Sequence, residues 1–450
     1  MATMIKRSKA LSVRPLKASQ PVGATLAFQG MQGAIPMLHG SQGCTAFAKV
    51  FFVRHFREPI PLQTTALDQI STVMGADDSI VEGLEVLLAS GRTRLVGLLS
   101  TGLTEAQGAD IHRVVRQFRD SHPQLRATPV VAVNTPDFTG CLETGYAAAV
   151  TALVRDLVPQ DAPPPVPGME SPLVNVLVGA HLTPGDGDVL KEIIESFGLT
   201  PLLLPDLGSA MDGHLADERQ SPVSLGGTDP AALGHMGSAR ATLVVGQAME
   251  PAADLLRQRT GVPDFRMHGL MGLQATDQLM LALSQISGRP VPARYERERR
   301  RLQDALLDTH FYLTGQRVAL AGDPDQILAW QGLLAEVGLT APVVVSSTGS
   351  RALAESAYAT VKIGDLEDLE DLEAQQPVGV FIGNSHLAEL AARRHRPLLR
   401  CGYPQYDWIG GQTRRWIGYE GARQTLFELA NALVHTGVHG VRAYTPRHAA

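Results

Sequence analysis

Leu95-Val96-Gly97-Leu98-Leu99-Ser100 is the stretch that decides the fold, because this apolar run is followed by a helical pattern from about Glu105 to Arg119. A second apolar run, Pro129 to Val133, and a second helical pattern, from about Gly145 to Leu157, come next. Apolar runs that alternate with helical patterns indicate βαβ units. This part of the chain is therefore expected to form a parallel sheet flanked by helices.

The same alternation starts again after a proline-rich segment. Six prolines fall from Pro159 to Pro172, and proline both fixes φ and removes a backbone donor, so neither a helix nor a strand is expected to run through them. The apolar run Leu173 to Gly179 opens a second series, and Arg317 to Pro324 is typical of a strand with a tight turn in a third. The sequence predicts an α/β fold of three Rossmann-like domains with parallel sheets flanked by helices. They cover residues 1–165, 166–292 and 293–450, and the last ends in a C-terminal helix.

The composition indicates a large globular chain. Its 450 residues are 44% hydrophobic and 19% charged, with a formal net charge of −6. This balance does not favour nucleic acid, which selects clustered basic surface, and no stretch reaches the roughly 18 apolar residues of a membrane span. Three cysteines fit a reducing compartment, and residues 1–9 lack the apolar region of a secretory signal. We expect a cytoplasmic protein that binds neither nucleic acid nor membrane.

Cys44 is the candidate functional residue. It ends the run HGSQGC (residues 39–44), and the run RHFREP (residues 54–59) follows shortly after. A thiol on a glycine-flanked loop is able to approach a bulky group, although a free cysteine commonly packs as a small buried hydrophobe. Residue type alone leaves both interpretations open.

Together, the two runs resemble the cluster-binding region of the β-type chains of the nitrogenase component 1 family. The resemblance implies that Cys44 ligates an iron–sulfur cluster at the interface with an α-type partner. Catalytic β chains of the family supply two further cysteines from this domain, and the resemblance places Ser19 and Gly102 at those positions. A cubane cluster commonly takes four thiolates. The resemblance therefore implies one ligand, Cys44, to a 4Fe-4S cluster shared with the partner subunit.

This ligand set resembles that of the scaffold branch of the family rather than its catalytic branch. The implied function is that of the β-type subunit of an E/N scaffold complex, on which the iron-molybdenum cofactor precursor is matured before transfer to apo-nitrogenase. The implied partners are an α-type E subunit in a two-plus-two heterotetramer, the ATP-hydrolysing nitrogenase iron protein, the cofactor-precursor donor and apo-nitrogenase. The precursor cluster would be held mainly by the E subunit, and this chain would be a non-catalytic assembly scaffold.

Other residues near these runs are expected to have supporting roles. Cys141 lies in a loop that also resembles the family, with Asp137 where catalytic β chains carry a serine, and both packing and a cluster-related role stay open for it. Cys401 is interpreted as structural, and His39 and His55 as donors or acceptors of loop hydrogen bonds. A further set is expected to pack and pair at the chain interface: Phe51, Phe52, Arg54, Phe56 and Arg57.

Two alternative functions remain at this point. A catalytic nitrogenase-like reductase β subunit is disfavoured by Ser19 and Gly102, and a small-molecule-binding Rossmann-like protein leaves Cys44 in its motif unexplained. The chain contains no phosphate loop of the form GxxxxGK followed by Ser or Thr, and Gly185-Asp186-Gly187 lacks the third glycine of a dinucleotide fingerprint. We therefore expect nucleotide hydrolysis to belong to a partner.

Overall fold

The computed structural model describes residues 1–7, 12, 14–160, 171–215 and 221–435. The strands are β1 (Thr3–Ile5), β2 (Ala34–His39), β3 (Gln63–Thr64), β4 (Leu95–Ser100), β5 (Val130–Val133), β6 (Leu173–Val178), β7 (Thr200–Leu204), β8 (Ala241–Val245), β9 (Asp264–Met267), β10 (Arg317–Gly322), β11 (Thr340–Ser346), β12 (Thr360–Ile363), β13 (Val380–Gly383) and β14 (Leu398–Arg400).

The helices connect and cover these strands. They are α1 (Gln20–Gln29), α2 (Gln42–Phe56), α3 (Gln69–Met74), α4 (Asp77–Ala89), α5 (Gly102–Gln107), α6 (Ile111–Ser121), α7 (Leu142–Leu157), α8 (Pro184–Ser196), α9 (Leu207–Ala210), α10 (Glu250–Thr260), α11 (Leu273–Ser287), α12 (Ala293–Leu313), α13 (Pro324–Glu336), α14 (Arg351–Glu355), α15 (Leu366–Gln375), α16 (Ala388–Arg393) and α17 (Gly418–His435). Within the described ranges, no helix is long and apolar enough to cross a membrane.

The described strands form three sheets in which the paired strands run parallel. The first sheet has the order β3-β2-β4-β5, the second β7-β6-β8-β9 and the third β1-β12-β11-β10-β13-β14. The predicted α/β class with parallel sheets flanked by helices is confirmed. In addition, β1 pairs with β12, with Thr3 opposite Thr360, so the start of the chain belongs to the third sheet rather than to the first. The division at residues 165 and 292 stays a prediction, and most of the proline-rich segment lies outside the described residues.

The helix predicted from about Glu105 to Arg119 is two helices, α5 and α6. Gly108 ends α5 with φ of +75°, a left-handed conformation that favours glycine. The carboxylate of Asp110 then caps α6 by accepting a hydrogen bond from the backbone N–H of Arg113 at 2.9 Å. Gly108 and Asp110 therefore divide a segment whose apolar spacing alone predicts one continuous helix.

The first sheet positions the candidate site through its strand order. The chain passes from β2 outward to β3 and then crosses to β4 on the other side, so the order reverses between β2 and β4. These two strands are in register along their whole length, and His39 lies opposite Ser100 at their carboxyl ends. In open α/β sheets, ligands bind at such a switch point, outside the carboxyl ends of the strands. The HGSQGC run and Gly102 both lie there.

Candidate functional site

Cys44 lies in the first turn of α2, directly after β2. Ser41 is the N-cap residue, and its Oγ lies 3.4 Å from the Sγ of Cys44. The amino end of a helix favours negative charge, such as that of a thiolate. Cys44 is partly exposed, whereas Cys141 and Cys401 are 0% and 1% exposed. Of the three thiols, only that of Cys44 is able to reach a group outside the chain.

The loop after β2 packs directly on the turn after β4. The hydroxyls of Thr101 and Thr104 donate to the backbone carbonyl of His39, at 3.0 and 3.1 Å. Gly40 allows this close approach, because a Cβ at position 40 would lie 2.5 Å from Oγ1 of Thr101. The short run from His39 to Cys44 is therefore held against residues on both sides of Gly102.

Ser19 and Gly102 also lie at helix starts near this edge. Ser19 is the N-cap residue of α1, and its side chain makes no capping hydrogen bond. The next residue, Gln20, donates from Nε2 to the carbonyl of Thr139 at 3.1 Å, which ties α1 to the loop after β5. Gly102 is the first residue of α5 and contacts that same loop through Asp137. The positions singled out by the sequence are thus brought to one edge, and one of them carries a thiol.

Cys141 and Cys401 are in environments that disfavour a thiolate. Cys141 is the N-cap residue of α7, and burial, together with the nearby charges of Asp323 and Glu143, raises its pKa well above its usual value. Burial raises the pKa of Cys401 to about 12. Metal ligation requires the deprotonated thiol. Both residues are accordingly packed thiols, as expected for Cys401.

The two histidines of the motifs are buried and neutral. The Nδ1 atom of His39 lies 3.1 Å from Oγ1 of Thr65, and burial lowers its pKa to about 4. His55 accepts a hydrogen bond at Nδ1 from the backbone N–H of Gln405 at 2.9 Å, and burial and then the charge of Arg57 lower its pKa to about 3. Their hydrogen bonds hold loops in place, as the sequence indicated.

The expected interface set on α2 needs correction. Phe51, Phe52 and Phe56 are buried, at 6%, 0% and 0% exposure, and belong to the hydrophobic core. The guanidinium of Arg54 stacks over the ring of Tyr406 at 4.1 Å. Arg57 also contacts that residue, donating from Nη2 to its carbonyl at 2.9 Å. The phase of α2 therefore turns the three phenylalanines into the core of this chain. Arg54 and Arg57 are exposed, and their place at a chain interface stays a prediction.

A different face of α2 is exposed and apolar. We call it the α2 strip: Phe47, Val50 and Val53, which are 64%, 55% and 44% exposed. The strip begins three residues after Cys44 on the same helix. Two further apolar side chains, Leu103 and Phe138, are 36% and 64% exposed beside Gly102 and Asp137. The helical spacing of Val50 and Val53 from Phe47 is a signal that the sequence itself carries.

The described residues do not form a complete metal site on their own. Among them, no group of three or more His, Cys, Asp or Glu side chains has an arrangement suited to a metal ion. Cys44 could accordingly serve as one ligand in a set completed from outside the described residues. The fold and this single open thiol can now be compared with known proteins.

The fold is that of an α/β protein with three parallel sheets and one open thiol at a sheet edge. The amino-acid sequence shows the family to which such a chain belongs. Residues 19–434 match the model of the family described as nitrogenase component 1 type oxidoreductase. The chain belongs to this family. Within it the chain is NifN-like: it is 42% identical over 433 residues to the nitrogenase iron-molybdenum cofactor biosynthesis protein NifN of Klebsiella pneumoniae, covering 96% of this chain and 93% of that one. The protein of the same name from Rippkaea orientalis is 44% identical over 448 residues, covering 96% of each chain.

The solved structures agree with the family. A chain of nitrogenase Cp1 at pH 6.5 superposes with a TM-score of 0.90 and 28% identity, covering 99% of this chain and 98% of that one. A chain of nitrogenase Cp1 at pH 5 has a TM-score of 0.69 at 12% identity and shares the fold. The three-sheet arrangement is therefore that of nitrogenase component 1 chains over nearly the whole length.

Proposed function

We propose that this chain is the β-type subunit of a scaffold complex on which the iron-molybdenum cofactor precursor is matured before transfer to apo-nitrogenase. The names of the Klebsiella and Rippkaea relatives, which are similar to this chain over 96% of its length, support this role. The observation that carries the proposal is the single partly exposed thiol of Cys44 at the switch point of the first sheet. The precursor is the cargo of the complex and would be held mainly by the partner.

Cys44 would supply one thiolate to a 4Fe-4S cluster shared with an α-type E subunit. The donor set fits this arrangement, because a cubane commonly takes four thiolates and the other two thiols of the chain are buried. When bound, such a cluster supplies a path for electrons. Ser41 beside the thiol and the amino end of α2 would orient and stabilise the thiolate.

The surface around Cys44 supports association with a partner. Leu103, in the first turn of α5, and Phe138, in the loop after β5, are also exposed at this edge of the first sheet. Contiguous exposed apolar surface commonly marks a protein interface. We infer that the E subunit covers this surface and that two such pairs form a two-plus-two heterotetramer. The nitrogenase iron protein would dock on this assembly and hydrolyse ATP, while the cofactor-precursor donor and apo-nitrogenase would be transient partners.

The direct test of the shared cluster is a cysteine exchange in the complex. The chain and its E-type partner are co-purified without oxygen, and iron content and the electron paramagnetic resonance spectrum of the reduced complex are measured. Cys44→Ala is expected to remove the iron of one cubane and its signal, whereas Cys401→Ala is the matched control that keeps both. Equal iron and an unchanged spectrum in the Cys44→Ala complex would overturn the ligand assignment.

The two alternatives are less well supported. A catalytic nitrogenase-like β subunit does not account for the missing thiols at Ser19 and Gly102, and the relatives are named as biosynthesis proteins. A stand-alone small-molecule-binding protein does not account for an apolar strip beside an open thiol. Purification of the chain alone separates the second alternative, because a stable monomer with a complete cluster would require no partner.

A further inference from the structure

Asp137 occupies the space that a side chain at position 102 would need. A Cβ atom built on Gly102 would lie 1.8 Å from Oδ1 of Asp137 and 2.8 Å from its Cγ. Distances this short are repulsive, since carbon and oxygen atoms in contact stay more than 3 Å apart, and overpacking of this kind commonly costs stability. Any residue other than glycine at position 102 therefore has to displace the carboxylate.

The backbone does not itself require glycine at this position. Gly102 is absent from the residues with positive φ, and it opens α5 after Thr101 in ordinary helical geometry. An L-residue could adopt this conformation if space were available. The constraint on position 102 is thus steric, and Asp137 provides the nearest three atoms that impose it.

The loop that bears Asp137 is anchored on both sides. Gln20 donates from Nε2 to both the carbonyl and the hydroxyl of Thr139 at 3.1 Å, and the Nζ of Lys17 donates to the carbonyl of Gly140 at 3.2 Å. The loop follows β5, which pairs with β4 directly before Gly102. These contacts fix the backbone of the loop after β5 and place the half-buried carboxylate of Asp137 beside Gly102.

We propose that Asp137 fills the place of a second ligand from this chain, so that position 102 accepts only glycine while this carboxylate is present. The loop after β4 lies between the Cys44 loop and the Asp137 loop, because β4 pairs with β2 on one side and β5 on the other. A side chain at position 102 would project from this edge toward the Asp137 loop. Removal of the Asp137 carboxylate would open that space to a side chain at position 102. This inference rests on the proposed function, since its consequence concerns the shared cluster.

A double-mutant cycle in the full chain without iron tests the steric coupling. Gly102→Ala is expected to lower the Tm by about 1 to 3 °C, and in an Asp137→Ala background the same change should cost about half as much or less. Gly40→Ala is the matched control, because its Cβ would meet Thr101 at 2.5 Å instead of Asp137, so its cost should be equal in both backgrounds. An equal cost of Gly102→Ala in both backgrounds would overturn the proposal.

A second measurement addresses the ligand count. Gly102→Cys combined with Asp137→Ala should give one more thiol that reacts with iodoacetamide in the folded iron-free chain than Asp137→Ala alone. In the complex, the same pair should change the iron content or the reduced-state spectrum. An unreactive Cys at position 102 would contradict the inference. Both the cycle and the thiol count are made without iron, so their failure is separate from a failure of the Cys44→Ala test.

Discussion

The carboxyl edge of the first sheet and the junction where the other two sheets meet it have opposite surroundings. The first edge presents the thiol of Cys44 beside the exposed α2 strip. We define the junction by three carboxyl groups, those of the buried Glu143 and Asp325 and of the half-buried Asp323. Each accepts a backbone N–H from another part of the chain: Asp323 from Glu143 at 3.3 Å, Glu143 from Asp325 at 2.8 Å, and Asp325 from Gln247 and Ala248 at 3.0 Å each.

The difference shows that the ends of parallel strands serve two purposes in this molecule. Where three sheets close on one another, the polar groups at their ends satisfy each other, and burial raises the pKa of Glu143 and of Asp325. Where the first sheet remains open, its strand ends expose one donor and an apolar surface that need an external partner. Ligands of such sheets commonly bind at the carboxyl ends of the strands. In this molecule those ends are open in the first sheet, whereas at the junction they make contacts between the sheets.

Of the changes considered, removal of the Asp325 carboxylate is expected to have the largest effect, because it destabilises the junction between the sheets. Asp325→Ala leaves the N–H groups of Gln247 and Ala248 without their acceptors at 3.0 Å, and buried unsatisfied groups cost about 1 to 3 kcal/mol each. We expect a loss of about 2 to 6 kcal/mol at the junction, the sum over these two N–H groups. Hydrogen–deuterium exchange of the segment 246–249 and the urea midpoint measure it.

The exposed Asp304→Ala is the control for that loss, and it should leave both quantities unchanged. Partner binding through Cys44 should also survive in any Asp325→Ala protein that folds. If the amides of Gln247 and Ala248 stayed as protected from exchange as before, the junction would not depend on the Asp325 carboxylate. The proposed role of buried carboxyl groups in closing the sheets would then be wrong.

The second prediction concerns the exposed α2 strip at the open edge of the first sheet. Phe47→Asp combined with Val50→Asp places two charges in the α2 strip, where both side chains are more than half exposed. Burying such charges at an apolar interface is unfavourable. We expect about 100-fold weaker association with the E-type partner, which corresponds to about 3 kcal/mol, and an unchanged circular dichroism spectrum. Val86→Asp, on α4 and 73% exposed, is the control that should bind normally, and equal binding by all three proteins would remove the strip from the interface.

The sequence predicted the strands well because buried parallel strands leave a strong apolar signal. The expected bounds Leu95 to Ser100 are those of β4, and the apolar run Pro129 to Val133 contains β5. By contrast, β1 is three residues long and partly exposed, so it has no such pattern. Its pairing with β12 depends on a partner at the other end of the chain, which local periodicity does not report.

For the candidate site, the sequence identified the central residue, Cys44, but it predicted the residues around Cys44 less well. The motif around Cys44 pointed to the right loop because glycine and serine at a strand end are local features. The facing of Phe51 and Phe52 depends on the phase of α2, and the apolar residues on all sides of this helix hide that phase. The contact of Asp137 with Gly102 joins loops after two strands, so it becomes visible only once β4 and β5 are paired.

A fourth carboxylate, Asp186, extends the comparison to pH dependence. It lies in the Gly185-Asp186-Gly187 run, which the sequence could only exclude as a nucleotide motif. In the structure it accepts hydrogen bonds from the backbone N–H groups of Trp416 at 2.6 Å, Ile417 at 3.1 Å and Thr183 at 3.0 Å. It therefore joins the second sheet to the third from the other side of the closed region.

Asp186→Asn is expected to have the smallest effect, a change in pH dependence. Burial raises the pKa of Asp186 from 3.8 to about 6, although its hydrogen bonds partly oppose the shift. Because the folded value exceeds the unfolded one, the protonated form is favoured in the fold. This contribution is fully present below about pH 4 and is lost as the pH rises through about 6. Each pKa unit corresponds to about 1.4 kcal/mol, and pH 5 lies about one unit below the folded pKa, so the wild-type chain should gain about 1.4 kcal/mol more than the variant between about pH 7.5 and pH 5. Thermal unfolding across this range measures the difference, with Asp188→Asn, a partly exposed neighbour paired with Lys191, as the control that keeps the wild-type profile. Parallel profiles for wild type and Asp186→Asn would show that the carboxyl titrates normally and that the closed region tolerates its charge.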